Sequence, residues 1–316
     1  MSIRTQKILS PILVLIAILI LWEGLVTLFQ IEQFLLPKPS AIAANLARVV
    51  VLDSAIDGPT GPAEVKKLFN QNRLILSVPS SLDEFQLTEH LPAQWFRFQL
   101  GDNIWIVAGG KMLKPILQAS WFTLKEALGG LFMGVTSGIV VALATVRWVA
   151  MREALLPFAI AANSMPIIAF APIMNNWFGI DNPFSKMAIV AIMVFFPMML
   201  NTVRGLSNVD ANSLALMHSY AASESEILRK LRMPNALPYL FSGLKVAAAL
   251  SMIGAIVGEY FGGPRIALGV FITQEAALFR FASAWAAIII ACIMGISLYV
   301  IIVAAERLMM PWVVDD

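Results

Sequence analysis

The residue types that make and break bonds are scarce in this chain and poorly spaced for the purpose. Two histidines, His90 and His218, stand far apart, and the one cysteine, Cys292, sits in an apolar run. No nucleophile-and-base set of the kind covalent catalysis uses can be picked out, and no ligand spacing suits zinc. A G-x-x-x-x-G-K-S/T loop is also absent, so the chain lacks the phosphate cradle of an ATPase. Catalytic residues, metal ligands and cofactors are therefore expected to be none. What remains are polar residues set in or beside apolar stretches: Glu23, Lys125, Glu126, Asn163, Ser164, Asn175, Asn176, Lys245 and Glu259. In such places polar groups line a solute path or bond neighbouring helices.

The elements that carry them follow from composition. Of 316 residues, 59% are hydrophobic and 13% charged, and mean hydropathy is +0.79. Soluble domains run nearer half apolar and a quarter charged, so an ordinary soluble enzyme and a disordered regulator are excluded. A net charge of +2 is too small for a phosphate-tracking surface, and no nucleic-acid partner is expected. A spanning helix needs roughly 20 apolar residues. Six windows meet or approach that: Leu9 to Phe29, Gln118 to Val146, Leu155 to Ile173, Met187 to Val203, Leu237 to Val257 and Ala284 to Ala305. The first lacks a small-residue cleavage site and is expected to stay as an anchor. The expected fold is an all-α integral membrane protein of six transmembrane helices, with membrane lipid around it.

Orientation follows from the bases near the spans. With the N-terminus inside, the inner side holds Arg4, Lys7, Arg147, Arg152, Arg204, Arg229, Lys230, Arg232 and Arg307, against Lys186, Arg265 and Arg280 outside. Nine against three places both termini in the cytoplasm. The outer segment 37–117 contains a polar stretch, about 53–111, broken by Gly58-Pro59 and Gly61-Pro62. Its aromatic residues, and β-like runs at Leu74 to Leu76 and Ile104 to Val107, predict a small extracytoplasmic subdomain. The remaining divisions are 1–36, the inner tail and first helix, and 118–316, a five-helix core with an inner loop at 205–238.

Helix-start signals mark that loop. Asp210 and Ser223 are N-cap residue types, and Glu226 stands three after Ser223, the capping-box spacing. Two short helices with a tight joint near Tyr220-Ala221-Ala222 are predicted, the second stopped by Pro234 and Pro238 before the membrane begins. Two readings are open on these residues: a rigid projection that docks into a partner, or an ordinary loop.

The same stretch resembles the loop shared by permease subunits of ATP-binding cassette (ABC) importers. That pattern is Glu-Ala-Ala, three residues, Gly, nine residues, Ile-x-Leu-Pro. Here Ala215-Leu216-Met217 stands at the triplet, Ala221 at the glycine, and Leu231-Arg232-Met233-Pro234 closes it. The spacing is intact and the identities depart. Alanine at the glycine position weakens the case for a left-handed turn there. The likeness extends to the permeases of nitrate, sulfonate, taurine and bicarbonate importers. It is carried by Leu36-Pro37-Lys38-Pro39-Ser40, Pro166 to Pro172, Trp177-Phe178-Gly179, Phe195-Phe196-Pro197 and Glu259-Tyr260-Phe261-Gly262. Within that branch, Asn175 to Gly179, Ser185 to Ala188, Val257 to Pro264 and Arg280-Phe281-Ala282 look like permeases of thiamine pyrimidine precursors or riboflavin. The resemblance implies a type I ABC importer permease in a bacterial inner membrane. It also implies a second permease copy, as a homodimer, two cytoplasmic ATPase subunits and an extracytoplasmic solute-binding protein. Tyr220, Ala221, Ala222, Ser223, Glu224, Leu231 and Pro234 would then form the ATPase-coupling loop. An ion-coupled secondary transporter is the remaining alternative. It would call for paired buried carboxylates or repeated halves, which the sequence does not display.

Along the translocation path the candidates are Asn163, Ser164, Asn175, Asn176 and Glu259. Each has a second reading. Asn163 and Ser164 precede Pro166, where a freed carbonyl invites a solute or a neighbouring helix. Asn175 and Asn176 form either an outer rim or an interfacial loop beside Trp177. Glu259 gates, binds a hydrogen-bond donor or cation, or pairs with Arg265. Lys125 and Glu126 are expected to snorkel near a helix start. Gly130, Gly134, Gly138 and Ala142 fall on one helical face for close packing, within one subunit or between two.

Overall fold

The computed structural model describes residues 3–32, 36–50, 75–79, 94–100, 103–108, 113–148, 150–151, 154, 157 and 166–311. In chain order the elements are α1 (Ile3–Leu28), α2 (Pro39–Val50), β1 (Ile75–Pro79), β2 (Gln94–Leu100), β3 (Asn103–Ala108) and α3 (Leu113–Arg147). Then come a 3-10 turn (Ile167–Ala169), α4 (Phe170–Phe178), α5 (Pro183–Ser207), α6 (Ala211–Ser219) and α7 (Glu224–Ile227). A wide π-type turn (Leu228–Arg232) leads into α8 (Met233–Tyr260), followed by α9 (Leu268–Ala277) and α10 (Phe281–Met309).

Among the described residues, four helices are long and apolar enough to cross a membrane: Pro115–Arg147, Pro183–Ser207, Glu224–Tyr260 and Phe281–Met309. Leu13–Leu28 of α1 is a shorter apolar helix. Five of the six expected windows therefore fall on helices. The third, Leu155 to Ile173, lies mostly outside the described residues; its end forms the 3-10 turn and the start of α4. Among the described residues the spanning helices carry no strand, and the strands fall within 75–108.

The chain divides into two units: 1–119 with 271–289, and 120–270 with 290–316. In the first, Glu23 accepts from Ser40 N at 3.0 Å and Ser40 Oγ at 2.7 Å. Ser40 follows Pro39, which opens α2 with its φ already suited to a helix. Glu23 thus supplies the acceptor that the first turn of α2 lacks. The Trp22 and Trp285 rings meet at 5.2 Å. The strands form an antiparallel sheet in the order β1-β3-β2, pairing Ile75 with Val107 and Phe98 with Trp105. Of the expected β-like runs, Ile75 and Leu76 fall on β1 and Ile104 to Val107 on β3, while Leu74 lies outside the described residues.

The second unit is built on close helix contact. A Cβ at Gly134 would lie 2.7 Å from Ala191 O, and one at Gly138 would lie 2.9 Å from Phe195 O. The glycine face of α3 therefore lies on the backbone of α5, which settles the open reading as packing within one chain. Ala142, fully buried against Met199 and Val203, continues the stripe. Around it Ala127, Val190, Val194, Ala247, Met252 and Ala255 form the core. Asn182 caps α5 by accepting from Phe184 N at 3.0 Å, and Pro183 follows it. These signals start α5 ahead of the expected Met187, so Lys186 belongs to its first turn. Lys245 of α8 pairs with Glu306 of α10. Apolar side chains such as Ile296, Ile301 and Leu308 face outward, as lipid contact requires.

Candidate functional site

The connection between α5 and α8 is a capped helical projection. Asp210 accepts from Ser213 N at 2.9 Å and opens α6. That backbone hydrogen bond, with the one from the Ser213 hydroxyl, holds its carboxyl below the usual aspartate range. The helix ends in a Schellman arrangement: Ala222 N donates to Met217 O at 3.1 Å, and Ala221 N to His218 O at 2.9 Å. Ala221 adopts φ +53°, so the left-handed turn is present although glycine is not. Ser223 and Glu226 then form the predicted capping box: Glu226 N donates to Ser223 Oγ at 3.4 Å, and Ser223 N to Glu226 Oε2 at 3.0 Å.

One expectation is corrected. Pro234 and Pro238 do not stop the second helix; it runs on through the wide turn into α8. Pro234 falls in the first turn of α8, where a missing N–H costs least. The wide turn before it lets Met233 N reach back to Leu228 O.

The projection is rigid at its roots and bare at its tip. Asn235 donates to Gly205 O at 2.9 Å and Asn208 O at 2.8 Å. Asn208 donates to the Tyr239 hydroxyl at 2.6 Å. Ile227 is buried and anchors α7, and Leu231 is half-buried. By contrast α6 has no buried residue. Leu216 is 56% exposed and Tyr220 77%, and Ala221, Ser223, Glu224 and Pro234 are exposed as well, with Ala222 half-buried. Between the end of α3 and α7 lies a cleft lined by Leu143, Val146, Arg147, Ser223, Leu228 and Arg232.

The polar residues of the spans are less uniform. Asn163 and Ser164 lie outside the described residues. Asn175 is buried and donates weakly to Phe261 O and Gly262 O, at 3.4 and 3.3 Å, whereas Asn176 and Trp177 are exposed. Glu259 is fully buried; Thr123 Oγ1 donates to it at 2.6 Å and Gly269 N at 2.7 Å. Lys125 lies over the ring of Trp121. Glu126 does not snorkel as expected: it is 1% exposed, because it points to the face of α3 that packs on α5 and α8. Lys186, counted above among the outer bases, is fully buried, and its ammonium donates to Ile180 O. Thr123, Glu126 and Lys186 were not singled out as site residues from the sequence. The available signal was charge set in an apolar run; their meeting is a tertiary fact.

Comparisons with known proteins place this architecture. Residues 134–313, more than half of the chain, match the family described as the binding-protein-dependent transport system inner membrane component. The formylaminopyrimidine transport permease ThiX of Halalkalibacterium halodurans is 31% identical over 183 residues, 58% of this chain and 72% of that one. The riboflavin transport system permease RibX of Chloroflexus aurantiacus is 32% identical over 169 residues, 54% of this chain and 62% of RibX. The taurine transport permease TauC of Escherichia coli is 24% identical over 216 residues, covering 68% of this chain and 78% of TauC. A solved amino acid ABC transporter with histidines superposes at a TM-score of 0.51, with 16% identity over 61% of this chain and 94% of that one. That likeness speaks to the fold alone. With a helical membrane core, a capped projection at the motif spacing and a family match over most of that core, the chain belongs to the inner-membrane permease family of binding-protein-dependent ABC importers.

Proposed function

We propose that this permease works as a pair of copies, takes solute from an extracytoplasmic binding protein, and is driven by two cytoplasmic ATPase subunits that grip the α6–α7 projection. Both termini are then cytoplasmic, in keeping with the base count. The observation that carries this reading is α6 itself, a capped helix with no residue buried in its own chain. A helix that short is marginal by itself, so its exposed Leu216 and Tyr220 call for a partner's surface. Movement of the ATPase pair then reaches the spans through the Asn235 and Asn208 bonds at the roots, as rigid-body alternation between two states. In this reading Asn163, Ser164, Asn175, Asn176 and Glu259 belong to the translocation path or its walls.

For substrate, a vitamin precursor of the hydroxymethylpyrimidine type, or riboflavin, is the leading class, supported by the names of ThiX and RibX. Arginines in the described spans lie towards helix ends, which disfavours an anion cage and so nitrate or sulfonate. Replacing Leu216 and Tyr220 by Glu is expected to leave membrane insertion intact and abolish co-purification of the ATPase subunit. Retained association would sink the docking role. Thermal-shift titration of the solute-binding protein with pyrimidine precursors, riboflavin, taurine and nitrate decides the substrate class.

A further inference from the structure

Three charges buried in the second unit have no part in the coupling reading. Glu126 of α3, Lys186 of α5 and Glu259 of α8 are each at most 1% exposed. The Glu126 carboxyl faces that of Glu259, and the Lys186 ammonium acts on both. Two of the three are satisfied. Glu259 accepts from Thr123 and Gly269 N, and Lys186 donates to Ile180 O. The Lys186 stem runs past Gly258 and Gly263, where a Cβ would stand 3.1 Å from its Cγ and 3.6 Å from its Cε. Glu126 differs: both its oxygens are buried, and neither has a hydrogen-bond donor among the described residues.

The charges do not balance either. Two carboxylates against one ammonium leave one negative charge out of contact with water, which is expensive in a protein interior and more so in a membrane. Neighbouring charges do not make up the difference. Asp181, before α5, is exposed and acts on Lys186; Arg265, after α8, is exposed. Lys125 of α3 lies over Trp121.

We propose that Glu126, facing Glu259 and Lys186, is the binding site of one small monovalent cation, a proton or a sodium ion. Either brings the same single charge to the same carboxyl oxygens. A proton makes Glu126 a donor towards Glu259; sodium takes oxygens from both acids. A divalent ion overshoots the single negative charge that the two carboxylates and the ammonium leave. The groups come from α3, α5, α8 and the start of α9, so occupancy ties four elements together at one place. The inference rests on burial and charge and does not depend on the transport reading.

The test is thermal unfolding of the full chain, purified in detergent and followed by tryptophan fluorescence. Sodium is exchanged for choline at constant ionic strength, and pH is varied from mildly acidic to mildly alkaline. A ligand that binds only the folded state raises Tm as its concentration rises. A proton site raises Tm on acidification whatever the salt; a sodium site raises Tm when sodium replaces choline. In either case Glu126→Gln, which removes the charge and keeps the shape, is expected to lose that shift of several degrees. Glu259→Gln removes the same charge from the facing side, at the cost of its own bonds, and is expected to lose the shift too. A wild-type Tm indifferent to both ions overturns the proposal. So does a dependence that persists undiminished in whichever of the two variants folds.

Discussion

Thr123 Oγ1 donates to Glu259 Oε1 at 2.6 Å and accepts from Leu268 N at 3.1 Å. One hydroxyl on α3 thus bonds the end of α8 and caps the start of α9. It also explains why Gly269 is glycine: a Cβ there would stand 2.7 Å from Ile256 O and 2.8 Å from Glu259 Cβ. The Gly269 N–H is needed at the same carboxyl, so the backbone has no room to withdraw.

Thr123→Val keeps the shape and removes both bonds. A buried acceptor and a buried N–H are left unpaired, at a cost of about 1–3 kcal/mol. The expected result is a Tm several degrees lower in detergent, with Thr123→Ser close to wild type. Equal stability of the valine and serine variants would show that the hydroxyl contributes nothing.

The contact of α3 with α5 gives a sharper contrast. At Gly134 a Cβ would meet Ala191 O at 2.7 Å and Val194 Cβ at 2.8 Å, whereas at Gly24 on α1 nothing lies within 4 Å. Gly134→Ala forces helix against helix and is expected to cost about 1–3 kcal/mol. Gly24→Ala meets open space and gains helix propensity, up to about 1 kcal/mol. Thermal unfolding of the two variants side by side is expected to shift in opposite directions.

What was legible in the sequence divides along physical lines. Apolar length is a local property, so the four helices long enough to span and the shorter apolar Leu13–Leu28 could be read directly. Caps are local as well: Asp210, Ser223 and Glu226 do what their spacing says. The end of a helix is less local. Pro234 looks like a stop, yet the wide turn at Leu228–Arg232 accommodates it and the chain continues as α8. The Glu126, Lys186 and Glu259 cluster is drawn from three separate helices, and no spacing rule announces such a meeting. Charge placed in an apolar run says only that a partner must exist.

Ala221 carries a cost that glycine would not. At φ +53° its Cβ crowds the backbone, and a residue with a side chain gives up roughly 1 kcal/mol there relative to glycine. Ala221→Gly removes that strain and loosens the unfolded chain, so the net gain is expected at or below about 1 kcal/mol. Ala221→Val, with its branched Cβ, is expected to lose more. Hydrogen exchange at Ala221 and Ala222 N–H, which close the turn on His218 and Met217, reads both changes directly. Slower exchange in the glycine variant and faster exchange in the valine variant are the expected outcomes; the reverse order would remove the left-handed turn from the account.

Asp210 makes the start of α6 depend on pH. Its carboxyl is held below the ordinary aspartate range by the Ser213 backbone N–H first and the Ser213 hydroxyl second. A folded value below the unfolded one means stability that is fully present above the unfolded pKa. It fades as pH falls through the depressed folded value. At neutral pH the amides of Ala211–Ser219 are therefore expected to exchange faster in Asp210→Ala than in wild type, after correction for intrinsic rates. As pH drops below the aspartate range that difference is expected to close, because the protonated carboxyl is a poorer acceptor for Ser213 N. Asp210→Asn, which caps without a charge, is expected to show little of this pH dependence. A wild-type advantage over Asp210→Ala that stays constant down to strong acid would mean that the charge of Asp210 plays no part in holding α6.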